Sequence, residues 1–370
     1  MTTIAIIGLG TMGLGIAQVF AAAGFPVLAT DAHDPTRNTA KPRLAAALAQ
    51  RVATGKLTPE AREATLANLI VTPTLQPLAP ATLAIEAIVE RLDAKRALFA
   101  DLEALLAPDA ILATNTSSLS VAACAIGLRC PERVLGLHFF NPAPAMRLVE
   151  LIPHATTAAT ALTRARQITE AAGKTVIQCP DRPGFIVNRC ARPYYGEALA
   201  LLQEGRTASD IDAAMLAAGY KLGPFQLIDL IGADINLAAT EGLSAAMQNH
   251  PRYHPFPALR TQVTSGHLGR KTGQGFIFPQ DPGPPPADAA HIALRIEATL
   301  INEAAWLLAE GGTTPEGIDT ALKLGLNFPR GPFALLTHHG PAKIRATLAA
   351  LEARTALTGR YTPAPLLEAP

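Results

Sequence analysis

Short apolar runs alternate with longer amphipathic stretches through the first half of the chain. Ile4–Ile7 and Val27–Thr30 have the length and β-branched content of buried strands, and Met12–Ala23 between them carries a helical pattern. Leu83–Val89, Ala110–Thr114 and Val134–His138 add strand-like runs separated by Ala- and Leu-rich helical segments. This alternation predicts a parallel sheet with helices on both faces. An Asn141-Pro142 turn follows, and Arg147–Ile152 resumes a strand pattern. Beyond Pro183 the strand signal stops, and Gly184–Glu204 opens a series of helical segments. The pattern predicts an α/β domain followed by an all-α region.

The helical region repeats itself. Glu197-Ala198-Leu199-Ala200-Leu201-Leu202-Gln203-Glu204-Gly205 matches Glu303-Ala304-Ala305-Trp306-Leu307-Leu308-Ala309-Glu310-Gly311. Ile211-Asp212 then corresponds to Ile318-Asp319, and Gly223-Pro224-Phe225 to Gly331-Pro332-Phe333. Three landmarks in order, at almost constant spacing, indicate a duplicated helical module. Between the copies, Phe278–Pro286 is rich in prolines that exclude a helix and favour an extended, semi-rigid spacer. The expected organisation is a first domain over residues 1–182, a helical module over 183–278, a linker over 279–290 and a second module over 291–370.

Composition narrows the class. The apolar fraction of 49% and charged fraction of 16% are those of a soluble globular protein. A net charge of +1 over 370 residues provides no field for nucleic acid or an anionic membrane surface. Cys124, Cys130, Cys179 and Cys190 show no metal-ligand spacing and imply no disulfide framework. No basic leader or membrane-length apolar stretch precedes the first strand, so a cytoplasmic protein is expected.

The candidate chemistry lies at strand ends. Gly8-Leu9-Gly10-Thr11-Met12-Gly13 follows a strand and opens a helix, the setting in which such a spacing binds dinucleotides. Gly8 permits the tight turn, Gly10 lets a pyrophosphate approach the backbone, and Gly13 lets helix and strand pack closely. The helix N-terminus, around Thr11 and Met12, then offers N–H groups to phosphate. Asp31 closes the second strand, where a carboxylate accepts ribose hydroxyls and repels a 2′-phosphate, which favours NAD over NADP. Its competing role is to start the turn towards Pro35. His138 ends one strand and Glu150 lies in the next, so adjacent strands can join a base to the carboxylate that orients it. A structural His–Glu pair is the alternative. Asn115-Thr116-Ser117-Ser118 follows another strand end. A hydroxyl there can hold a reacting oxygen, although Ser117 or Ser118 can equally cap the next helix.

The ordered set GLGTMGLGIA, AIEAIVERLDAKRALF, TNTSSLS, GLHFFNPAPAMRLVE, PGFIVNR, LGPFQLID and GRKTGQGF resembles the 3-hydroxyacyl-CoA dehydrogenases from the N-terminus to about Phe278. The downstream duplication resembles the tandem-module branch, which includes 3-hydroxybutyryl-CoA and 3-hydroxyadipyl-CoA dehydrogenases of β-oxidation and phenylacetate catabolism. The resemblance implies a Rossmann NAD-binding domain followed by duplicated helical modules like the C-terminal domain of 6-phosphogluconate dehydrogenase. It implies reversible NAD-dependent oxidation of an (S)-3-hydroxyacyl-CoA to the 3-oxoacyl-CoA, without a metal. His138 becomes the general base, Glu150 its orienting partner, and Ser117 and Asn188 donors to the substrate oxygen. Glu90, Lys95, Ser117, Asn141 and Lys271 match positions that touch the nicotinamide cofactor. Read from the residues alone, Glu90 ends a strand, Lys95 is also compatible with an exposed helix lysine, Lys271 with a purely structural glycine-rich turn, and Asn188 with a cap.

The family's coenzyme A contacts fall in the stretch Asp34–Lys56, where Arg43, Arg51 and Lys56 can meet a phosphate or simply face solvent. Leu294 aligns with Asn188, so the second module is expected to be structural. The two modules are expected to pack as an intrachain pseudo-dimer, with a homodimer through another face still open. The other functional readings are an NAD-linked dehydrogenase of a free hydroxy acid such as gulonate, and a catalytically silent, crystallin-like NAD-binding protein.

Overall fold

The computed structural model describes residues 2–368, in two compact units that meet between Arg182 and Pro183. The first unit runs β1 (Ile4–Ile7), α1 (Thr11–Ala22), β2 (Val27–Thr30), α2 (Asp34–Ala53), α3 (Pro59–Ala67), β3 (Leu69–Val71), β4 (Leu83–Glu86) and α4 (Leu92–Leu105). It continues through β5 (Ile111–Thr114), α5 (Val121–Ala125), β6 (Val134–Phe139), β7 (Leu148–Ile152), α6 (Ala159–Ala171) and β8 (Thr175–Gln178). The strands form one sheet in the order β3-β2-β1-β4-β5-β6-β7-β8. β1, β4, β5, β6 and β7 are buried along their whole length, as continuous apolar runs require when helices cover both faces.

Two expectations are corrected here. The sheet is not parallel throughout, because β6 and β7 pair antiparallel. Only residues 140–147 connect them, too few for a crossover to a parallel strand. The run expected to be a strand through Val89 stops at Glu86: the Ile88 N–H bonds back to the Glu86 carboxylate at 2.7 Å, and Val89 is exposed. Glu90 therefore lies beyond the strand, in the turn leading to α4.

The second unit is helical, and an isolated bridge between Gly269 and Gln274 is its one β pairing among the described residues. Its helices are α7 (Val187–Gln203), α8 (Ala208–Ala217), α9 (Pro224–Ile231), α10 (Ala233–Ala246), α11 (Pro257–Thr264), α12 (Ala289–Ala309), α13 (Pro315–Leu326), α14 (Pro332–His339), α15 (Pro341–Glu352) and α16 (Pro365–Glu368). The repeat is visible in the capping. Asp212 accepts the N–H groups of Phe225 and Gln226 at 3.0 and 2.7 Å, and Asp319 those of Phe333 and Ala334 at 2.8 and 3.0 Å. The buried Asp212 and the half-buried Asp319 thus each satisfy the first turn of the next helix. A Cβ on Gly223 or Gly331 would stand 2.2 Å from the carboxyl carbon of Asp212 or Asp319, which is why glycine opens both Gly-Pro-Phe landmarks.

The two copies also exchange charges reciprocally. Arg189 on α7 reaches Glu303 at 2.7 Å and grips Glu310 through both terminal nitrogens at 2.8 and 2.6 Å. Arg295 on α12 pairs with Glu197 and grips Glu204 at 2.6 Å through both of its own. Glu303 further accepts from Arg252 and Tyr253, and Glu197 from Arg360 and Tyr361. Arg252-Tyr253 and Arg360-Tyr361 are separated by the same offset as Gly223 and Gly331. The carboxylate of each copy is therefore held by two arginines and a tyrosine from the other, the reciprocity of a two-fold interface.

Candidate active site

The β6–β7 register places His138 opposite Glu150, so their side chains share a face of the sheet. His138 Nδ1 lies 2.7 Å from Glu150 Oε2, and both residues are buried. Alternation decides which face they use. Phe139 packs on Phe20 of α1, so His138 points to the side of the sheet where α5 covers Gly136. The Phe140 ring stands 4.5 Å from the imidazole. With Nδ1 engaged by the carboxylate, Nε2 is the nitrogen on the reacting side.

The loop after β5 is organised by Glu90. Its Oε1 accepts from the Thr116 hydroxyl, from Ser117 N at 3.0 Å, and from Ser118 N and Oγ at 3.3 and 3.1 Å. Asn115 ties the same loop to β6 by accepting the Phe139 N–H at 2.8 Å. Ser120, not Ser117 or Ser118, caps α5. Ser117 is exposed and its hydroxyl makes no hydrogen bond among the described residues, in keeping with a role towards a ligand.

Lys95 is not an exposed helix lysine. It is 1% exposed and lies between two carboxylates, Glu86 at 2.7 Å and Glu90 at 3.1 Å. Burial pushes the Glu90 carboxyl up, but the Lys95 charge and the hydrogen bonds from Thr116, Lys95 and Ser117 outweigh it and hold Glu90 below the usual range. Glu86, fully buried, also accepts from the Thr114 hydroxyl at 2.8 Å. It was missed in the sequence, although a carboxylate closing Leu83-Ala84-Ile85 marks a strand end at the ligand edge of the sheet.

The glycine turn has the shape a dinucleotide needs. A Cβ on Gly8 would meet Ala87 O at 2.5 Å and one on Gly13 would meet Gly8 O at 1.8 Å, whereas nothing lies within 4 Å of the same position on Gly10. Gly8 and Gly13 are thus fixed by packing, and Gly10 leaves room above the α1 N-terminus formed by Thr11 and Met12. Asp31 accepts Leu9 N at 2.7 Å and His33 N at 2.8 Å, one on each oxygen, which braces the turn and leaves acceptor capacity for ribose hydroxyls. These residues fit NAD.

Asn141 is exposed on the β6–β7 loop, which Lys174 anchors by donating to Ala143 O at 2.6 Å and Met146 O at 2.7 Å. Burial lowers the Lys174 ammonium to about 8. Arg43, Arg51 and Lys56 are exposed, and Arg51 lines a cleft of about 410 Å³ with Arg147 and Lys174. In the second unit, Asn188 is half-buried within the first turn of α7 but its side chain makes no capping bond. Lys271 pairs with Asp234 in a turn whose Gly269 and Gly275 are held tightly against Asp229. Among the described residues, no cluster of His, Cys, Asp and Glu is arranged for a metal, and no helix is long and apolar enough to cross a membrane.

A pyrophosphate turn and a carboxylate-backed imidazole at the edge of one doubly wound sheet define the class of nicotinamide-linked dehydrogenases, which move a hydride and a proton in one event. Known sequences resolve the class further. The pattern described as "3-hydroxyacyl-CoA dehydrogenase, NAD binding domain" matches residues 3–182, and that of the "3-hydroxyacyl-CoA dehydrogenase, C-terminal domain" matches twice, at 184–278 and 291–369. The chain belongs to the 3-hydroxyacyl-CoA dehydrogenase family and is an NAD-dependent oxidoreductase. It is 46% identical to a 3-hydroxyadipyl-CoA dehydrogenase of Escherichia coli over 74% of its own length and 58% of that protein. It therefore spans little more than half of that relative. It is 40% identical to a probable 3-hydroxyacyl-CoA dehydrogenase of Caenorhabditis elegans over 75% of this chain and 92% of the other. The crystal structure of 3-hydroxybutyryl-CoA dehydrogenase from E. coli superposes with a TM-score of 0.91 at 34% identity, covering 99% of this chain and 97% of that one.

Proposed function

We propose that this chain catalyses reversible oxidation of (S)-3-hydroxyacyl-CoA thioesters to 3-oxoacyl-CoA, with His138 as general base. The carrying observation is the buried imidazole joined to Glu150 at 2.7 Å. When bound, NAD supplies the hydride acceptor. His138 Nε2 takes the hydroxyl proton, and Glu150 holds the ring by Nδ1 and stabilises the imidazolium that forms. Ser117 and Asn188 steady the oxygen as it becomes a carbonyl. In the reverse direction protonated His138 returns the proton. Gly8, Gly10, Thr11, Met12, Gly13 and Asp31 hold the adenosine and pyrophosphate end of the cofactor. Glu90, Lys95, Ser117, Asn141 and Lys271 hold its nicotinamide end.

The same reading assigns residues 1–182 to NAD and 183–278 to the working helical module, joined by 279–290 to a structural copy over 291–370. The reciprocal ion pairs support treating the copies as a fused pseudo-dimer; Leu294 in place of Asn188 leaves one active site, and a cytoplasmic location belongs to the same reading. The test is a substrate panel with NAD: 3-hydroxybutyryl-CoA, 3-hydroxyadipyl-CoA and the corresponding free 3-hydroxy acids. The thioesters are expected to turn over and the free acids to be poor. Equal efficiency with the free acids would reject the thioester assignment.

A further inference from the structure

The second copy of the helical module carries polar chemistry that the first does not. By the pairing of Glu197 with Glu303, Glu297 stands where the first copy has Ala191, and Leu294 where it has Asn188. By the pairing of the Gly-Pro-Phe landmarks, His338 and His339 stand where it has Leu230 and Ile231. If this copy served only as scaffold, apolar residues would suffice at those places. Instead, Glu297 is buried and both its oxygens are occupied: Oε2 by His339 Nε2 at 2.6 Å and Oε1 by the Tyr220 hydroxyl at 3.2 Å.

Glu297 and His339 of this triad line a cleft of about 650 Å³ within the helical unit. That volume is in the range of small-molecule sites. Ala217 and Ala218 of the α8 end, Ala293 and Leu294 of α12, and Leu335 of α14 give it an apolar floor, and Pro285 and Pro286 of the linker edge it. Arg330 and His338 complete the lining beside His339. Arg330 has no hydrogen bond or ion pair among the described residues. The one carboxylate in the cleft is already engaged by Tyr220 and His339, which leaves Arg330 as the cationic group of the lining without an ion pair among the described residues. An apolar trough with a cationic end complements an apolar body carrying one negative charge.

We infer that this cleft binds a small organic carboxylate, its acid group at Arg330 and His339 and its hydrocarbon body along Ala217, Leu294 and Leu335. The cleft's lining shares no residue with the proposed catalytic and cofactor set, and the inference stands whether or not the thioester assignment holds.

Octanoate is the probe, titrated calorimetrically into the full chain, with octanamide as the uncharged counterpart. Saturable one-to-one binding of octanoate is expected. Arg330→Gln, which removes the charge, and Ala217→Phe, which fills the trough from an exposed position, should each weaken it about tenfold or more, as should octanamide. Oxidation of 3-hydroxyacyl-CoA should be unchanged in both variants. Absence of saturable binding would overturn the inference. So would parental octanoate affinity in either variant, or octanamide binding as tightly as octanoate.

Discussion

Replacing Glu303 by Gln isolates the charge that joins the two helical copies. Glu303 is fully buried and receives Arg189 at 2.7 Å, Arg252 at 2.9 Å and the Tyr253 hydroxyl. Gln keeps the volume but removes the charge and turns an amide N–H₂ towards one of the two guanidinium groups. Breaking one partner of a buried ion pair typically costs about 3–5 kcal/mol, because the other charge stays desolvated. The lower end applies here. Arg189 keeps its two-pronged grip on Glu310, and Arg252 still stacks over the Trp306 ring at 4.9 Å. A loss of about 3 kcal/mol corresponds to roughly 6–12 °C in the melting of a unit this size. Glu310→Gln is the internal control: that carboxylate is 34% exposed, and its loss should cost less than about 1 kcal/mol. Glu197→Gln, the mirror change, should behave like Glu303→Gln. Trp306 is the only tryptophan and lies on α12 at this contact, so its fluorescence in denaturant follows the relevant unfolding. A cost below about 1 kcal/mol for both Glu303→Gln and Glu197→Gln would refute the reading of a charge-locked module interface.

Asp31→Ala should narrow the preference for NADH over NADPH in acetoacetyl-CoA reduction, because it removes the carboxylate that repels a 2′-phosphate. An unchanged ratio of kcat/KM values would mean that Asp31 only braces the turn. Burial raises the Asp212 carboxyl to about 7, with the Asp229 charge adding to it and the Phe225 and Gln226 N–H groups opposing. A group whose folded pKa is raised contributes stability at low pH and loses it as pH climbs through the folded value. The parent should therefore lose stability relative to Asp212→Asn as pH rises from the ordinary value of 3.8 to about 7, read as the difference in denaturation midpoints. A difference independent of pH would contradict that ionisation.

Much of the fold was legible because burial writes itself into the sequence. β1 and β2 are apolar runs bounded by glycine or a turn, and the observed strands coincide with the runs. The antiparallel step at β7 was not legible, since an apolar run carries no direction; only the short 140–147 connection implies it. His138 and Glu150 could be singled out as polar residues in apolar strands, yet their contact depends on a register fixed by pairing. Lys95 and Glu86 were harder. Each looks ordinary in its own segment, and the pair exists only because α4 returns over the end of β4. The same limit hid Arg252-Tyr253 and Arg360-Tyr361, which lie outside the matched helices although they keep the offset of the Gly-Pro-Phe landmarks.

The proposed division of labour is that His138 moves the proton while other residues hold the cofactor. Its most direct measurement is turnover of 3-hydroxybutyryl-CoA by His138→Gln alongside the NAD dissociation constant of the same variant. A fall in kcat of about 10²–10⁴-fold is expected, the usual contribution of a general base, with NAD affinity at the parental value. Parental turnover with intact NAD binding would contradict it and move the base to another residue.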